Sequence, residues 1–229
     1  YDISDADFTI KGALTLTAPN GGEIWVVGET RDITWSMKGS IASVKLEYST
    51  NGFIDETETV VITDSTDASL LSYSWTVPDA IGSSLKVRII DTSNSTVYDL
   101  SDNNFTIKGA LTLTQPNGGE IWIVGDVQNI TWNRTGSIPY VKLEYSTDGG
   151  STYPNVIVDS TDASTGSYAW TIPDAIGTQL RVRVTDTSDA TVFDTSDGNF
   201  EIKGALTIIT PNGGEQWEVG STQNITWER

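Results

Sequence analysis

The sequence predicts an all-β chain made of tandem antiparallel β-sandwiches. Three observations predict it: a long internal repeat, strict two-residue alternation of apolar and polar side chains, and turn signals at short intervals. The repeat is plainest in Pro19–Gly28, PNGGEIWVVG, which returns as PNGGEIWIVG at Pro116–Gly125 and as PNGGEQWEVG at Pro211–Gly220. Gly12, Gly109 and Gly204 open three copies, 97 and 95 residues apart (109 − 12 and 204 − 109). A period near one hundred residues is a whole domain, whereas a solenoid unit spans roughly 20–50. The expected division is residues 1–11, the last strand of a preceding copy; 12–108 and 109–203, two complete copies; and 204–229, the first strands of a following copy. YDISDADFTIK at Tyr1–Lys11 matches YDLSDNNFTIK at Tyr98–Lys108 and FDTSDGNFEIK at Phe193–Lys203. The chain is therefore expected to be a window on a longer polypeptide.

Within the first copy the elements follow in order. Ala13–Thr17 (ALTLT) reads as a strand that stops at the turn Pro19-Asn20-Gly21-Gly22. Ile24–Val27 and Asp32–Trp35 are the next two strands. In Ser43–Ser49, Val44, Leu46 and Tyr48 point one way and Lys45 and Glu47 the other, the pattern of a strand with one buried face. Asn51-Gly52 marks a turn before the strand Thr59–Thr63, and Pro78-Asp79 closes the strand Ser72–Val77. Leu85, Val87 and Ile89 oppose Lys86 and Arg88; Asp91-Thr92-Ser93 is a turn, and Asn104–Ile107 is the last strand. The second copy preserves the alternation in Val141, Leu143 and Tyr145 and in Leu180, Val182 and Val184. Some seven short strands in a repeat of this size fit an immunoglobulin-like or fibronectin type III-like sandwich. If the two alternating strands are neighbours, Lys45 and Glu47 face Lys86 and Arg88 in exposed pairs worth about 0–1 kcal/mol each.

All eight Trp fall at repeat positions: Trp25, Trp122 and Trp217; Trp35, Trp132 and Trp227; Trp75 and Trp170. Trp35 shares a strand face with Ile33, and Trp75 with Tyr73 and Val77, so these two sets are expected in the core. Trp25, Trp122 and Trp217 follow a tight turn; they are either core or an exposed aromatic platform for a sugar. At the junctions, FTIKGALTLT and FEIKGALTII, a last strand runs into a first strand through Lys-Gly. That is too short to be a flexible linker and predicts a stiff joint.

Composition narrows the chemistry. The chain has no Cys and no His, which removes thiol nucleophiles, imidazole bases, disulfides and the usual zinc or copper ligands. Asp and Glu number 31 against 13 Lys and Arg, a formal charge of −18. Such a surface repels nucleic acid and anionic membrane, and no apolar run is long enough to span a bilayer. Abundant Thr, Ser, Asn, Asp and Gly suit an extracellular β-protein, so a secreted, extracellular or cell-surface location is expected.

The acidic segment before the last strand recurs as Asp2–Asp7, Asp99–Asn104 and Asp194–Asn199. Asp99, Asp102 and Asn104, with Asp194, Asp197 and Asn199, supply hard oxygen donors in a turn, which suits Ca²⁺ as an ion partner; Asx-turns on a solvated loop are the alternative. Asn94, Asn104, Asn129, Asn133 and Asn224 stand in Asn-x-Ser/Thr sequons and are candidate glycosylation sites. Asp32 replaces Asn129 and Asn224 at their repeat position, against a required glycan there. No G-x-S-x-G elbow, P-loop or HExxH motif occurs, and the chain is not expected to be an enzyme.

Four motifs carry a family resemblance. They are Pro-Asn-Gly-Gly-Glu-x-Trp-x-x-Gly (Pro19–Gly28, Pro116–Gly125), Ile-Thr-Trp (Ile33–Trp35, Ile130–Trp132), Tyr-x-Trp-Thr-x-Pro (Tyr73–Pro78, Tyr168–Pro173) and Ser-Asp-x-x-Phe-x-Ile (Ser101–Ile107, Ser196–Ile202). Each copy resembles the repeat domain of Ser/Thr-rich GPI-anchored fungal cell-wall proteins linked to β-1,6-glucan assembly, which also occurs in tandem in large secreted prokaryotic proteins. The resemblance implies no catalytic residues. The function expected is a rod-like segment of a surface stalk, sheath or filament that self-associates. The alternative is a carbohydrate- or partner-binding module of a secreted adhesin or cell-wall protein, with cell-surface polysaccharide as ligand.

Overall fold

The computed structural model describes residues 1–2 and 4–228. Ile3, in the leading acidic segment, and Arg229, at the end of the trailing fragment, lie outside the described residues. The chain forms two compact units, Tyr1–Ala110 with Thr135–Ser137, and Leu111–Arg134 with Ile138–Arg229.

The first unit holds β1 (Ala13–Ala18), β2 (Ile24–Val26), β3 (Thr30–Lys38), β4 (Ser43–Ser49), β5 (Thr59–Asp67), β6 (Ser72–Thr76), β7 (Gly82–Asp91), β8 (Tyr98–Leu100) and β9 (Phe105–Lys108). One sheet has the order β1-β3-β6; the other runs β2-β9-β7-β4-β5, with β8 also on β7. The alternation decides which side chains lie between the two sheets. Leu14, Leu16, Ile33, Trp35 and Trp75 from the first sheet meet Trp25, Val44, Leu46, Leu85, Val87, Ile89, Phe105 and Ile107 from the second. Trp25 packs edge-on to Trp75 at 5.9 Å and tilted on Phe105 at 5.1 Å. This is an immunoglobulin-like sandwich without a disulfide, its centre filled by aromatic rings.

The second set repeats the first: β10 (Ala110–Gln115), β11 (Ile121–Ile123), β12 (Val127–Thr135), β13 (Tyr140–Ser146), β14 (Asn155–Asp162), β15 (Ser167–Thr171), β16 (Gly177–Asp186), β17 (Phe193–Thr195) and β18 (Phe200–Lys203). Its sheets have the orders β10-β12-β15 and β11-β18-β16-β13-β14, with β17 on β16. Beyond them β19 (Thr207–Thr210) pairs antiparallel with β20 (Thr226–Glu228).

Trp35 and Trp132 bring a polar atom into the core and satisfy it. Each indole Nε1 donates at 3.0 Å to a buried carbonyl, of Ala68 and Ala163. Those carbonyls belong to single 3₁₀ turns, Ala68–Leu70 and Ala163–Thr165, capped by Asp67 and Asp162. The carboxylates accept from the N–H of Ser69 at 2.8 Å and of Ser164 at 2.7 Å.

Two features depart from the sequence reading. The sandwich is not wholly antiparallel, since β2 runs parallel to β9, and β11 to β18. The turn at Pro19–Gly22 is responsible: it carries the chain from the three-stranded sheet to the far edge of the other. The short strands β8 and β17 are a second departure, because they run into the acidic segments Asp99–Asn104 and Asp194–Asn199, which read as turns.

Candidate functional site

The repeated signature motifs meet in space, and their geometry is that of a clasp. The turn comes first. The Glu23 carboxylate accepts from the N–H of Asn20 and of Gly21, both at 2.7 Å. The same turn recurs at Glu120, with 2.7 and 2.8 Å bonds from Asn117 and Gly118, and at Glu215, with 2.8 Å bonds from Asn212 and Gly213. This explains why Glu follows Asn-Gly-Gly: it satisfies two amides that no strand can pair.

The clasped turn then grips the last segment of its own copy. Asn20 Nδ2 donates to Asp102 at 2.9 Å, and the Asp102 N–H returns a bond to Asn20 Oδ1 at 2.8 Å. Asn117 and Asp197 do the same at 2.8 Å each way. Ser101 is wholly buried; its hydroxyl accepts from Val87 N–H at 3.0 Å and donates to Pro19 O at 2.7 Å. Ser196 joins Val182 to Pro116 in the same way, at 2.9 and 2.7 Å. Ser196→Ala would leave a buried N–H and a buried carbonyl unpaired, and is expected to cost about 1–3 kcal/mol, read as a lowered urea midpoint. An unchanged midpoint would remove the clasp from the energetics of the fold.

The acidic residues suggested as calcium ligands in the two complete copies accept hydrogen bonds from within the fold. Asp99 Oδ2 accepts from Leu16 N–H at 2.8 Å, and Asp194 Oδ2 from Leu113 N–H at 2.7 Å. Asp102 and Asp197 hold the Asn side chains just described, and Asn199 Oδ1 accepts from Arg181 Nε at 2.8 Å. Asn104 uses its backbone carbonyl to accept from Gly22 N–H at 2.9 Å, and its side chain is exposed. Among the described residues no three acidic side chains converge as a metal cluster. Neighbouring carboxylates face different donors: Asp99 and Asp194 a strand N–H, Asp102 and Asp197 an Asn side chain of the turn.

The three Trp that follow the tight turn lie in different surroundings. Trp25 is 6% exposed and Trp122 4%, each packed against a second Trp and a Phe. Trp217 is 46% exposed. The sequon residues Asn104, Asn129, Asn133 and Asn224 are exposed. Asn94 is half-buried, its Oδ1 accepting from the Thr96 hydroxyl at 2.7 Å.

Sequence reasoning missed the burial of one constellation, on the outward face of the larger sheet. Glu47 stands opposite Arg88 in register, yet it is 5% exposed and not the solvated partner expected. Arg88 Nε and Nη2 donate to its Oε2 at 3.0 and 2.7 Å, Lys45 reaches Oε1 at 2.7 Å, and Phe53 lies over the guanidinium at 4.5 Å. In the second copy Glu144, Arg183 and Lys142 repeat the arrangement, with the Tyr153 ring 4.5 Å from Arg183. The burial follows from the aromatic lid, which comes from the variable β4–β5 loop and carries no repeat signal. Burial would raise the Glu47 and Glu144 carboxyls, but the Lys and Arg hydrogen bonds outweigh it and hold both below the ordinary value. A lowered folded-state value means stability that is complete above the unfolded carboxylate pKa, about 4.3, and lost as pH falls through the folded value. Urea midpoints are therefore expected to hold steady from pH 7 to about 5 and then fall. The double variant Glu47→Gln, Glu144→Gln should be weaker at pH 7 and lose less on acidification. An acid limb as steep as that of the unaltered protein would contradict this.

A cleft of about 350 Å³ in the second unit is lined by Val124, Gly125, Asp174, Ile176, Gly204 and Ala205. It contains one carboxylate, and no base, nucleophile or second acid among its lining residues, so it presents no catalytic arrangement.

No family profile and no curated protein matches the chain. Among solved structures it is similar to the fibronectin(III)-like modules of CbhA from Clostridium thermocellum, at 18% identity over 90% of this chain and 100% of that one, TM-score 0.31. It is similar to a chimeric titin Z1Z2-Z1Z2 tandem at 18% identity, over 83% and 99% of the two chains, TM-score 0.29. It is also similar to the four N-terminal Ig domains of Dscam1 isoform 4.44, at 13% identity over 86% of this chain and 47% of that one, TM-score 0.39. At these identities the likeness bears on fold alone, and no functional statement below rests on it.

Proposed function

We propose that the chain is a structural segment of an extracellular tandem-repeat protein, a rod-like stretch of a stalk, sheath or filament. The observation that carries this reading is the clasp. Asn20, Ser101 and Asp102 recur as Asn117, Ser196 and Asp197; they tie the first turn of a copy to its last segment and are engaged in hydrogen bonds within that copy. Repetition here preserves a fold rather than a ligand site. The parallel pairing of β2 with β9 supports the same reading. Tension applied at the two ends of a copy loads those strands in shear, so that several hydrogen bonds must break together. The connection supports it too: β9 ends at Lys108 and β10 begins at Ala110. The resemblance to secreted cell-wall repeat domains fits this reading.

Single-molecule pulling on the 229-residue chain tests it. Two events of similar force are expected, each releasing about 300 Å of contour length. Asn117→Ala with Asp197→Ala should lower the force of one event and spare the other. Extension without resolved events, or equal forces in the variant, would argue against a load-bearing role.

A further inference from the structure

The two copies differ at one place where the difference itself points to a ligand. In the first copy the Arg88 guanidinium is used on two sides. One side holds Glu47. On the other, Nη1 and Nη2 donate to the two oxygens of Glu56, both at 2.9 Å, in a forked pair beneath the Phe53 ring. Glu56 belongs to the β4–β5 loop, Thr50–Glu58. The corresponding loop of the second copy is Thr147–Pro154, and no acidic residue lies between Asp148 and Asp159. Asp148 is committed to its own turn, accepting from Ser146 Oγ at 2.6 Å and Thr152 Oγ1 at 2.7 Å, which hold its carboxyl at about 2.

Arg183 therefore keeps the inner carboxylate, Glu144, and the aromatic lid, Tyr153, without the outer carboxylate. Its side chain is 32% exposed against 19% for Arg88. A second guanidinium strengthens the site, because Arg181 stands where the first copy has Lys86. Arg181 is held by Asn199 at 2.8 Å and by the Ser196 carbonyl at 3.1 Å, and its charge acts on the Tyr153 hydroxyl together with that of Arg183. Lys142, Arg181 and Arg183 face Glu144 and Asp148, an excess of positive charge on a chain whose formal charge is −18.

We propose that Arg183, with Tyr153 and Arg181, binds a carboxylate side chain presented by an acidic loop of a second copy of this chain. Glu56 in the first copy shows the geometry: both carboxylate oxygens on one edge of the guanidinium, with an aromatic ring over its face. The chain itself is the favoured source, since its surface is rich in Asp and Glu and the site is a local positive exception to it. This inference rests on the comparison of the two copies and not on the structural role proposed above. Loss of this contact on testing would leave that role standing.

The test uses the whole chain labelled with ¹⁵N-arginine and a synthetic peptide, FIDETE, copied from Phe53–Glu58. Titration is expected to shift the Arg183 Nε–Hε signal with a Kd near about 1 mM, weakening as salt rises. Arg183→Met should abolish the shift, and Arg183→Lys should weaken it severalfold, because a lysine cannot make the forked pair. Glu56→Gln should open a second, weaker site at Arg88, which has Lys86 in place of Arg181. Concentrating the unlabelled chain should reproduce the Arg183 shift. Shifts that survive Arg183→Met, or a chain that never perturbs Arg183 at high concentration, would overturn the proposal. So would an effect of sodium acetate or polygalacturonate larger than that of the peptide.

Discussion

Trp132→Ala is expected to destabilise the second unit by about 3–5 kcal/mol, a large share of the 5–15 kcal/mol that usually holds a domain. The ring is 3% exposed and lies between the two sheets with Ile130 and Val184 in the same core. Its removal leaves a cavity that paired strands on both sides cannot close. It also strips the Ala163 carbonyl of its 3.0 Å donor inside the core, adding a desolvation cost to the lost packing. Trp217→Ala provides the control, since that ring is 46% exposed and should change stability by less than about 1 kcal/mol. Urea unfolding followed by circular dichroism compares them. Equal shifts would contradict the core assignment of the repeated Trp.

Gly118→Ala is expected to be the next most damaging change, and Gly119→Ala separates its two causes. Gly118 has φ 129°, and a Cβ there would sit 2.9 Å from the Cα of Gly198. Gly119 has φ 87°, and a Cβ there would meet nothing within 4 Å. Gly119→Ala thus bears backbone strain alone, about 1–3 kcal/mol. Gly118→Ala adds a collision with backbone, which can yield only by stretching the 3.0 Å bond from Gly198 N–H to Asn117 O that closes the clasp. It should be worse than Gly119→Ala by about 2 kcal/mol. The same urea titration reads both. Equal costs would mean that the close approach of the turn to the last segment is not what the Asn-Gly-Gly motif preserves.

Much of the fold was legible because period-two alternation records burial directly. Val44, Leu46, Leu85, Val87 and Ile89 were assigned to one face by pattern, and all are fully buried. Alternation also placed Trp35 and Trp75 in the core. What it did not reveal was what the polar signature residues do. Asp99, Asp102, Asp194 and Asp197 look like cation ligands in sequence because their donors, strand N–H groups for Asp99 and Asp194 and Asn side-chain amides for Asp102 and Asp197, lie about 80 residues away. Donors that distant leave no local signal. The Glu47–Arg88 pair was found, but its burial was not, because the lid residue shifts position between copies. Phe53 stands three residues before Glu56, whereas Tyr153 stands in a loop of different length. The strand order was half legible for a similar reason. Turn chemistry announced a break at Pro19–Gly22, while the crossing to the opposite sheet depends on tertiary pairing with β9.

Electron microscopy of the native source material, with antibody against this chain, is the decisive measurement. Regular filaments or sheets decorated at a constant step, matching one or two copies, are the predicted result. Dispersed, undecorated assemblies with the antigen on isolated molecules would contradict a structural array and leave a binding module of a secreted adhesin or cell-wall protein as the reading to pursue.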